Sequence, residues 1–321
     1  PERATAARDF LAFSAALDPS AAQDEQTAII GARLYTAYLA AARAADHALS
    51  TLGPGRFLMP GELDGSPLLT FFPLPLAGGS TPKPNSLGAL LDRRFESYKA
   101  HVVKPFFRDH FSRLDRQVVL VDALSALNAG PRAVKDLEHA MSAVLTCFRP
   151  GANTWLSSLF SRRIDRLLFA ATKADHLHHE SHDRLEATMR LITDRAITRA
   201  EGAGADVKVL ALAALRATRE AEVRTNGEVL PCIVVIPLAG EKIGAEVFDG
   251  RRETAVFPGD LPADPSVLLA NGADTPAIAD LSMLRFRPPR ITLEAPTGAK
   301  DALPHIRLDR ALDFLIGDHL A

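Results

Sequence analysis

Two rhythms of apolar and polar positions divide this chain. Over residues 5–17, Phe10, Phe13 and Leu17 recur at helical spacing, and over the Ala-rich stretch 25–50, Ile30, Leu34 and Tyr38 step by four. Both stretches read as amphipathic helices, joined through Asp18-Pro19-Ser20 into a helical hairpin or part of a small bundle whose aromatic stripe is core. Residues 87–116 keep the helical rhythm with Phe95, Tyr98, Phe106, Phe107 and Phe111. A second rhythm begins at Gln117. Residues 117–122, 166–171 and 207–215 are short apolar runs bounded by charge, the pattern of buried strands. Between them, Asn128-Ala129-Gly130-Pro131 opens a helix carrying Val134, Leu137, Met141, Val144 and Phe148, with Pro131 in its first turn. A short helix is expected around Trp155 and Leu159. Leu185, Met189, Ile192 and Ile197 carry another helix to Gly202-Ala203-Gly204, with Ser181 at its N-cap. Strand, helix, strand, helix, strand predicts a parallel sheet with crossover helices.

Punctuation sets the remaining boundaries. From Gly53 the chain is dense in Gly and Pro, and Phe71-Phe72-Pro73-Leu74-Pro75-Leu76 follows. Pro removes backbone donors and Gly resists helix, so this is a long loop. Its large apolar residues argue for order, with either function or packing as its role. Near the carboxyl end, residues 230–237 are strand-like and 246–257 read as a hairpin through Asp249-Gly250. Residues 284–287 form a strand ended by Pro288-Pro289, and a last helix places Leu308, Leu312, Leu315 and Ile316 on one face. The expected division is 1–52 helical, 53–116 ordered loop and helices, 117–224 a parallel core, and 225–321 a β-rich region with a terminal helix.

The chain has 321 residues, of which 47% are hydrophobic and 24% charged, enough for a sizeable core. A net charge of -2 offers no basic field for bulk nucleic-acid binding. Cys147 and Cys232 are too few for a disulfide framework. No apolar run has transmembrane length. Because the chain opens on Pro1 within a helical pattern, the amino-terminal part of a longer protein is expected to precede it.

The chemistry concentrates at the end of the 166–171 run, in Thr172-Lys173-Ala174-Asp175. Ligands of open α/β sheets bind at the carboxyl ends of strands. A carboxylate there only accepts hydrogen bonds, and guanine offers an adjacent ring N–H and amino group as two parallel donors. The Lys stem is able to cover a base while its ammonium stays wet. The tetrapeptide alone arises by chance in roughly one chain in ten of this length; the preceding strand and following helix make it far more specific. Its bland reading is a strand-to-helix turn with Asp175 near a helix start. At the end of the next strand, small Ala213 leaves room for a backbone N–H to approach the carbonyl of a bound base. Asp122 ends a strand as a magnesium-holding Asp would, but Ser125 stands where an Asp-x-x-Gly switch needs Gly, so a polar strand end is the expected role. His176, His178, His179 and His182 invite a metal reading, yet no further Cys or His-rich segment completes a site, and no metal ligand or catalytic residue is assigned.

Several segments together resemble a known family: Pro54-Gly55-Arg56-Phe57-Leu58, Val121-Asp122-Ala123-Leu124-Ser125-Ala126-Leu127-Asn128, Ala171-Thr172-Lys173-Ala174-Asp175-His176, Phe257-Pro258-Gly259-Asp260-Leu261-Pro262, Arg285-Phe286-Arg287-Pro288-Pro289 and His305-Ile306-Arg307-Leu308-Asp309. They are similar to the YcjX-like family of bacterial stress-associated P-loop NTPases. The resemblance implies an α/β, Ras-like P-loop NTPase parallel sheet, incomplete in this chain, with a helical insert and a small β-rich carboxyl-terminal part. It implies binding of GTP or GDP, with ATP as the alternative, and base recognition by Thr172, Lys173 and Asp175 together with Ala213, Ala214 and Leu215. Thr172 stands where many GTPases carry Asn. No Gly-x-x-x-x-Gly-Lys-[Ser/Thr] phosphate loop occurs in these residues. Mg2+ and the phosphates would therefore be held by an amino-terminal part, and this chain alone is not expected to hydrolyse nucleotide. The implied partner besides the nucleotide is a stress-response protein, met in the bacterial cytoplasm or at the inner-membrane surface. A non-catalytic interaction module is the reading from another class.

Overall fold

The computed structural model describes residues 2–43, 55–75, 81–110, 114–144, 164–225, 227–268, 281–289 and 303–320. The chain forms two compact units, Pro1–Arg113 and Leu114–Ala321.

In the first unit, α1 spans Glu2–Ala15 and α2 Glu25–Arg43. The Asp18 carboxylate accepts from the Ser20 N–H at 2.8 Å and turns the chain. Asp24 accepts from the Thr27 N–H at 2.8 Å and starts α2. Of the expected Ile30–Leu34–Tyr38 stripe, Leu34 and Tyr38 pack half-buried against the core of this unit, and Ile30 does not. Ala28, Gly31 and Ala32 are buried, whereas Ile30 is exposed. The reason is Phe72: a Cβ on Gly31 would lie 2.0 Å from its ring, so only glycine admits it. The Gly/Pro-rich stretch thus has a packing role. It runs through α3 (Gly55–Leu58) and two single 3-10 turns, then drives Phe71 and Phe72 into a cluster with Phe10, Ala28, Leu87, Leu90 and Leu91. Next, α4 (Leu87–Tyr98) is capped by Ser86, whose hydroxyl accepts from the Ala89 N–H, and a wide turn leads into α5 (Lys104–Asp109).

The second unit is built on β1 (Arg116–Val121), β2 (Arg166–Ala171) and β3 (Asp206–Ala211). They form a parallel sheet in the order β1-β2-β3, with Val121, Ala171 and Ala211 in register at the carboxyl ends. The helices between them are α6 (Ala123–Ala129), α7 (Pro131–Val144), α8 (His182–Ile192) and α9 (Asp194–Gly202). They cover one face, where Leu167, Phe169 and Val209 meet Leu124, Val134, Leu185, Met189 and Ile197. On the other face Leu168, Ala170, Leu210 and Leu212 pack on α10 (Leu308–Leu320). Burying one such leucine contributes about 1.5–3 kcal/mol.

Several local expectations change. The third strand stops at Ala211, short of Leu215. The periodic pattern from Leu185 to Ile197 breaks at Thr193, whose hydroxyl donates back to the Met189 carbonyl at 2.7 Å. Helix α6 was hidden inside the Asp122–Asn128 motif. Ser181 stands at the N-cap of α8, but its side chain makes no capping bond. On α10 the buried contacts are Ala311 with Leu308, Phe314 and Leu315, leaving Leu312 and Ile316 exposed. The helix expected around Trp155 and Leu159 lies outside the described residues, as do Phe111 and Phe148.

A second sheet follows. Strands β4 (Arg219–Thr225) and β5 (Glu228–Val235) are antiparallel, β6 (Lys242–Ile243) and β7 (Glu246–Val247) form a small hairpin, and β8 (Thr254–Val256) pairs with β5. The turn at Asp249-Gly250 therefore does not join two paired strands. The Asp249 carboxylate accepts from the Arg251 N–H at 2.8 Å and holds a bend instead. Residues 284–287 contribute a single bridge, Pro237 to Phe286, rather than a strand.

Candidate functional site

The carboxyl ends of β2 and β3 bring the two expected loops together. The Ala174 N–H donates to the Leu212 carbonyl at 3.2 Å, so the loop after β2 is fixed to the loop after β3. Thr172 extends the sheet pattern by one residue: its N–H and its hydroxyl both donate to the Val121 carbonyl of β1, at 2.8 and 3.1 Å. Lys173 then adopts a left-handed conformation, φ 62°, which costs a non-glycine residue about 1 kcal/mol. This turn points the exposed Lys173 ammonium at Asp122, 2.6 Å from Oδ2.

Asp122 is the hub at the end of β1. Its Oδ1 accepts from the Ser125 N–H at 3.1 Å and its Oδ2 from the Ser125 hydroxyl at 2.7 Å, which caps α6. Burial works to raise its carboxyl, but the bonds from Lys173 and Ser125 outweigh burial and hold it below its ordinary value. The carboxylate is spent on a cap and an ion pair, which agrees with the polar strand end expected from Ser125.

Asp175 is 6% exposed. Its Oδ2 accepts from the Ala217 N–H at 3.0 Å, and its backbone carbonyl accepts from the Thr218 hydroxyl at 2.8 Å. The side chain is thus braced by the segment beyond the second loop. A carboxylate offers about four lone-pair directions, so further donors are accommodated. In the second loop, Ala213 is closed: its N–H donates to Ile306 and its carbonyl accepts from Ile306, at 3.1 and 2.8 Å. The small residue expected to offer its N–H is therefore already paired. The N–H groups of exposed Ala214 and half-buried Leu215 have no acceptor among the described residues. They are the donors the loop leaves over.

Sequence reasoning missed what fastens this second loop. Arg307 sits at φ 57° and binds Asp183 at 2.8 Å and Glu186, both on α8. Glu186 also accepts from the Ala211 N–H at 2.9 Å, which satisfies the outer edge of β3. Burial pulls the Arg307 guanidinium down, yet its two carboxylates raise it overall. The signal was present in His305-Ile306-Arg307-Leu308-Asp309, but nothing local in that segment says which strand end it meets.

The histidines divide their work. His182 opens α8, and its Nε2–H donates to the Ala174 carbonyl at 2.9 Å. His176 stacks on Phe286 at 4.4 Å, and burial lowers its imidazole below the ordinary value. His178 lies before α8, so it does not share a helical face with His182.

A parallel sheet flanked by helices, with a Thr-Lys-x-Asp turn and a second loop at adjoining strand ends, defines a mixed α/β protein of the P-loop NTPase-like class. The chain belongs to the YcjX-like family, DUF463, which it matches over residues 1–320. It is 36% identical over 315 residues to a protein named Ras-like GTPase YcjX from Escherichia coli (strain K12), covering 96% of this chain and 63% of that one. A second protein of that name, from Shewanella oneidensis (strain MR-1), is 37% identical over 280 residues, 83% of this chain and 53% of its own length. The chain therefore spans less than two thirds of the length of these relatives.

Proposed function

We propose that these residues form the base-recognition half of a guanine-nucleotide site, and that GTP hydrolysis in the whole protein draws its phosphate loop and Mg2+ from residues outside this chain. The observation that carries the reading is the meeting of two loops at Asp175. A buried carboxylate acceptor stands where the Ala214 and Leu215 N–H groups remain as donors. Guanine presents donors at its ring N–H and amino group and an acceptor at its carbonyl, which is that pattern in complement. Adenine would turn a lone pair towards Asp175. The name Ras-like GTPase borne by both relatives supports the same reading. Thr172 acts as a positioning residue through its two bonds to Val121. Lys173 is available to cover the base once it exchanges Asp122 for the ring face.

The sheet supports a site completed elsewhere. Strand β1 is an edge with no partner on its outer side among the described residues, and its Val118 and Leu120 are exposed. No helix among the described residues is long and apolar enough to cross a membrane.

The test is a titration of the full-length protein with GTP, GDP, ATP and xanthosine nucleotides, alongside Asp175→Asn. Guanine should be preferred, and the substitution should weaken it roughly 10- to 100-fold, the value of a charge-assisted hydrogen bond. Xanthine carries a carbonyl where guanine carries the amino group, so it should gain affinity in Asp175→Asn. Equal binding of ATP and GTP, unaffected by the substitution, would remove base recognition from this loop.

A further inference from the structure

The histidine-rich turn contains two imidazoles that the base site does not use. With His182 committed to Ala174 and His176 stacked on Phe286, His178 and His179 remain. Their rings lie against each other, 4.3 Å between centroids. Across from them stands Glu220, on β4 of the second sheet. One nitrogen from each ring and one Glu220 carboxylate oxygen all lie within 4.8 Å of one another.

Two further facts bear on this trio. His178 is 5% exposed and its Nδ1 is buried without a hydrogen-bond partner. A buried polar atom left in that state has lost its water without a replacement bond, which is destabilising. Glu220 is also held in place: Arg216 binds its Oε1 at 2.9 Å, which leaves Oε2 directed at His179 Nδ1, 2.8 Å away. One ligand oxygen is thus oriented by a fixed neighbour, the arrangement metal-binding carboxylates use. A further acidic group near the trio is Glu180, whose Oε2 lies 3.9 Å from His178 Nδ1.

We propose that His178, His179 and Glu220 bind one divalent transition cation, Zn2+ by preference, with water or Glu180 in the fourth position. Two imidazoles and a carboxylate are a recurring Zn2+ set. Ligand atoms at about 2.0–2.1 Å from Zn2+ in tetrahedral geometry stand about 3.3 Å apart. To admit the ion, His179 Nδ1 and Glu220 Oε2 would part from 2.8 Å to that spacing, with the proton they share released to solvent, and the His178 nitrogen, within 4.8 Å of both ligand atoms, would move to the same distance. The consequence reaches the nucleotide site. The cation would staple the turn that follows Asp175 to the strand that follows Ala217 and Thr218, the two residues that brace Asp175. It would therefore hold both base loops in place whether or not nucleotide is bound.

The experiment uses tag-free full-length protein, stripped with a chelator and titrated with Zn2+ against a chromophoric competitor. The same titration is run on His179→Ala, Glu220→Gln and, as a control, His101→Ala. The expected result is one Zn2+ per chain, bound at least tenfold more weakly by the first two variants and unchanged by the third. The thermal midpoint should rise with Zn2+ only where the site is intact. A parallel Co2+ titration of the unmutated protein should develop the visible bands of a four-coordinate ion, a readout independent of how the variants fold. Failure of the unmutated protein to bind Zn2+ stoichiometrically would overturn the proposal. So would binding by His179→Ala and Glu220→Gln as tight as that of the unmutated protein. Guanine binding measured on the stripped protein separates this outcome from the fate of the base site.

Discussion

In the loop after β2, Lys173 stands exposed in a left-handed conformation, and its ammonium is held by a partly exposed carboxylate at the next strand end. In the loop after β3, both backbone groups of Ala213 are paired to Ile306, and Arg307 pins that segment to α8. In the first, the Lys173 side chain is restrained by an ion pair worth at most about 1 kcal/mol because water competes for it, although the loop backbone is tied to Val121 and Leu212. The second is restrained by backbone hydrogen bonds and a network at the sheet edge. The pair teaches a division of labour: one loop keeps a side chain free to exchange partners, while the other supplies fixed geometry. Asp175 belongs to both, being attached to the first and braced by the continuation of the second.

The sharpest way to break this division is at Asp175. Asp175→Ala removes the acceptor of the Ala217 N–H and should lower stability by about 2 kcal/mol, read by chemical denaturation. Next is Arg307→Ala, which leaves Glu186 without its cation. A loss of about 1.4 kcal/mol is expected, and amide exchange at Ala213 and Ile306 should speed about tenfold while that at Thr172 stays constant. If both loops speed equally, they are one unit and the comparison fails. A smaller effect, about 1 kcal/mol, is expected for Asp122→Ala, which removes the α6 cap and releases Lys173. Guanine affinity should survive it or improve, since Lys173 no longer has to leave a partner.

The smallest effect lies at the far end of the strands. Asp318 pairs with Arg116 and Arg166, and the Arg116 bond chiefly lowers its carboxyl from 3.8 to about 2. A depressed folded value means the contribution is fully present above the unfolded value and disappears as pH falls through the folded one. Asp318→Asn should thus be less stable than the unmutated protein by a constant margin above pH about 4, with the margin vanishing towards pH about 2. Neither base loop should sense this change.

What could be read from the chain follows the same physics. Strands β1 to β3 were legible because their apolar residues run between charges, although on β1 Val121 alone is buried and Val118 and Leu120 are exposed, and the Thr172–Asp175 turn because it sits at the end of β2. Strand β4 was not. Its Arg219-Glu220-Ala221-Glu222-Val223-Arg224-Thr225 sequence is an edge with few apolar residues, and its pairing to β5 supplies what its side chains do not. The faces of α2 and α10 were legible only in part, for a related reason: Leu34, Tyr38, Leu308 and Leu315 pack inward, while Ile30, Leu312 and Ile316 do not. Large residues dominate a periodic pattern, but close contact here runs through Ala28, Gly31 and Ala32 in one helix and Ala311 in the other. The brace on Ala213 was illegible because Ile306 is remote in sequence, and backbone pairing leaves no mark on side-chain identity.

That remoteness also orders events in time. A ribosome delivers the chain amino end first, so all three parallel strands and Asp175 exist well before Ile306 does. Until residues 303–308 emerge, the Ala213 backbone has only water to bond. A nascent chain with its sheet already formed would thus hold a loose second loop, and the proposed base site would mature only after residues 303–308 had been made.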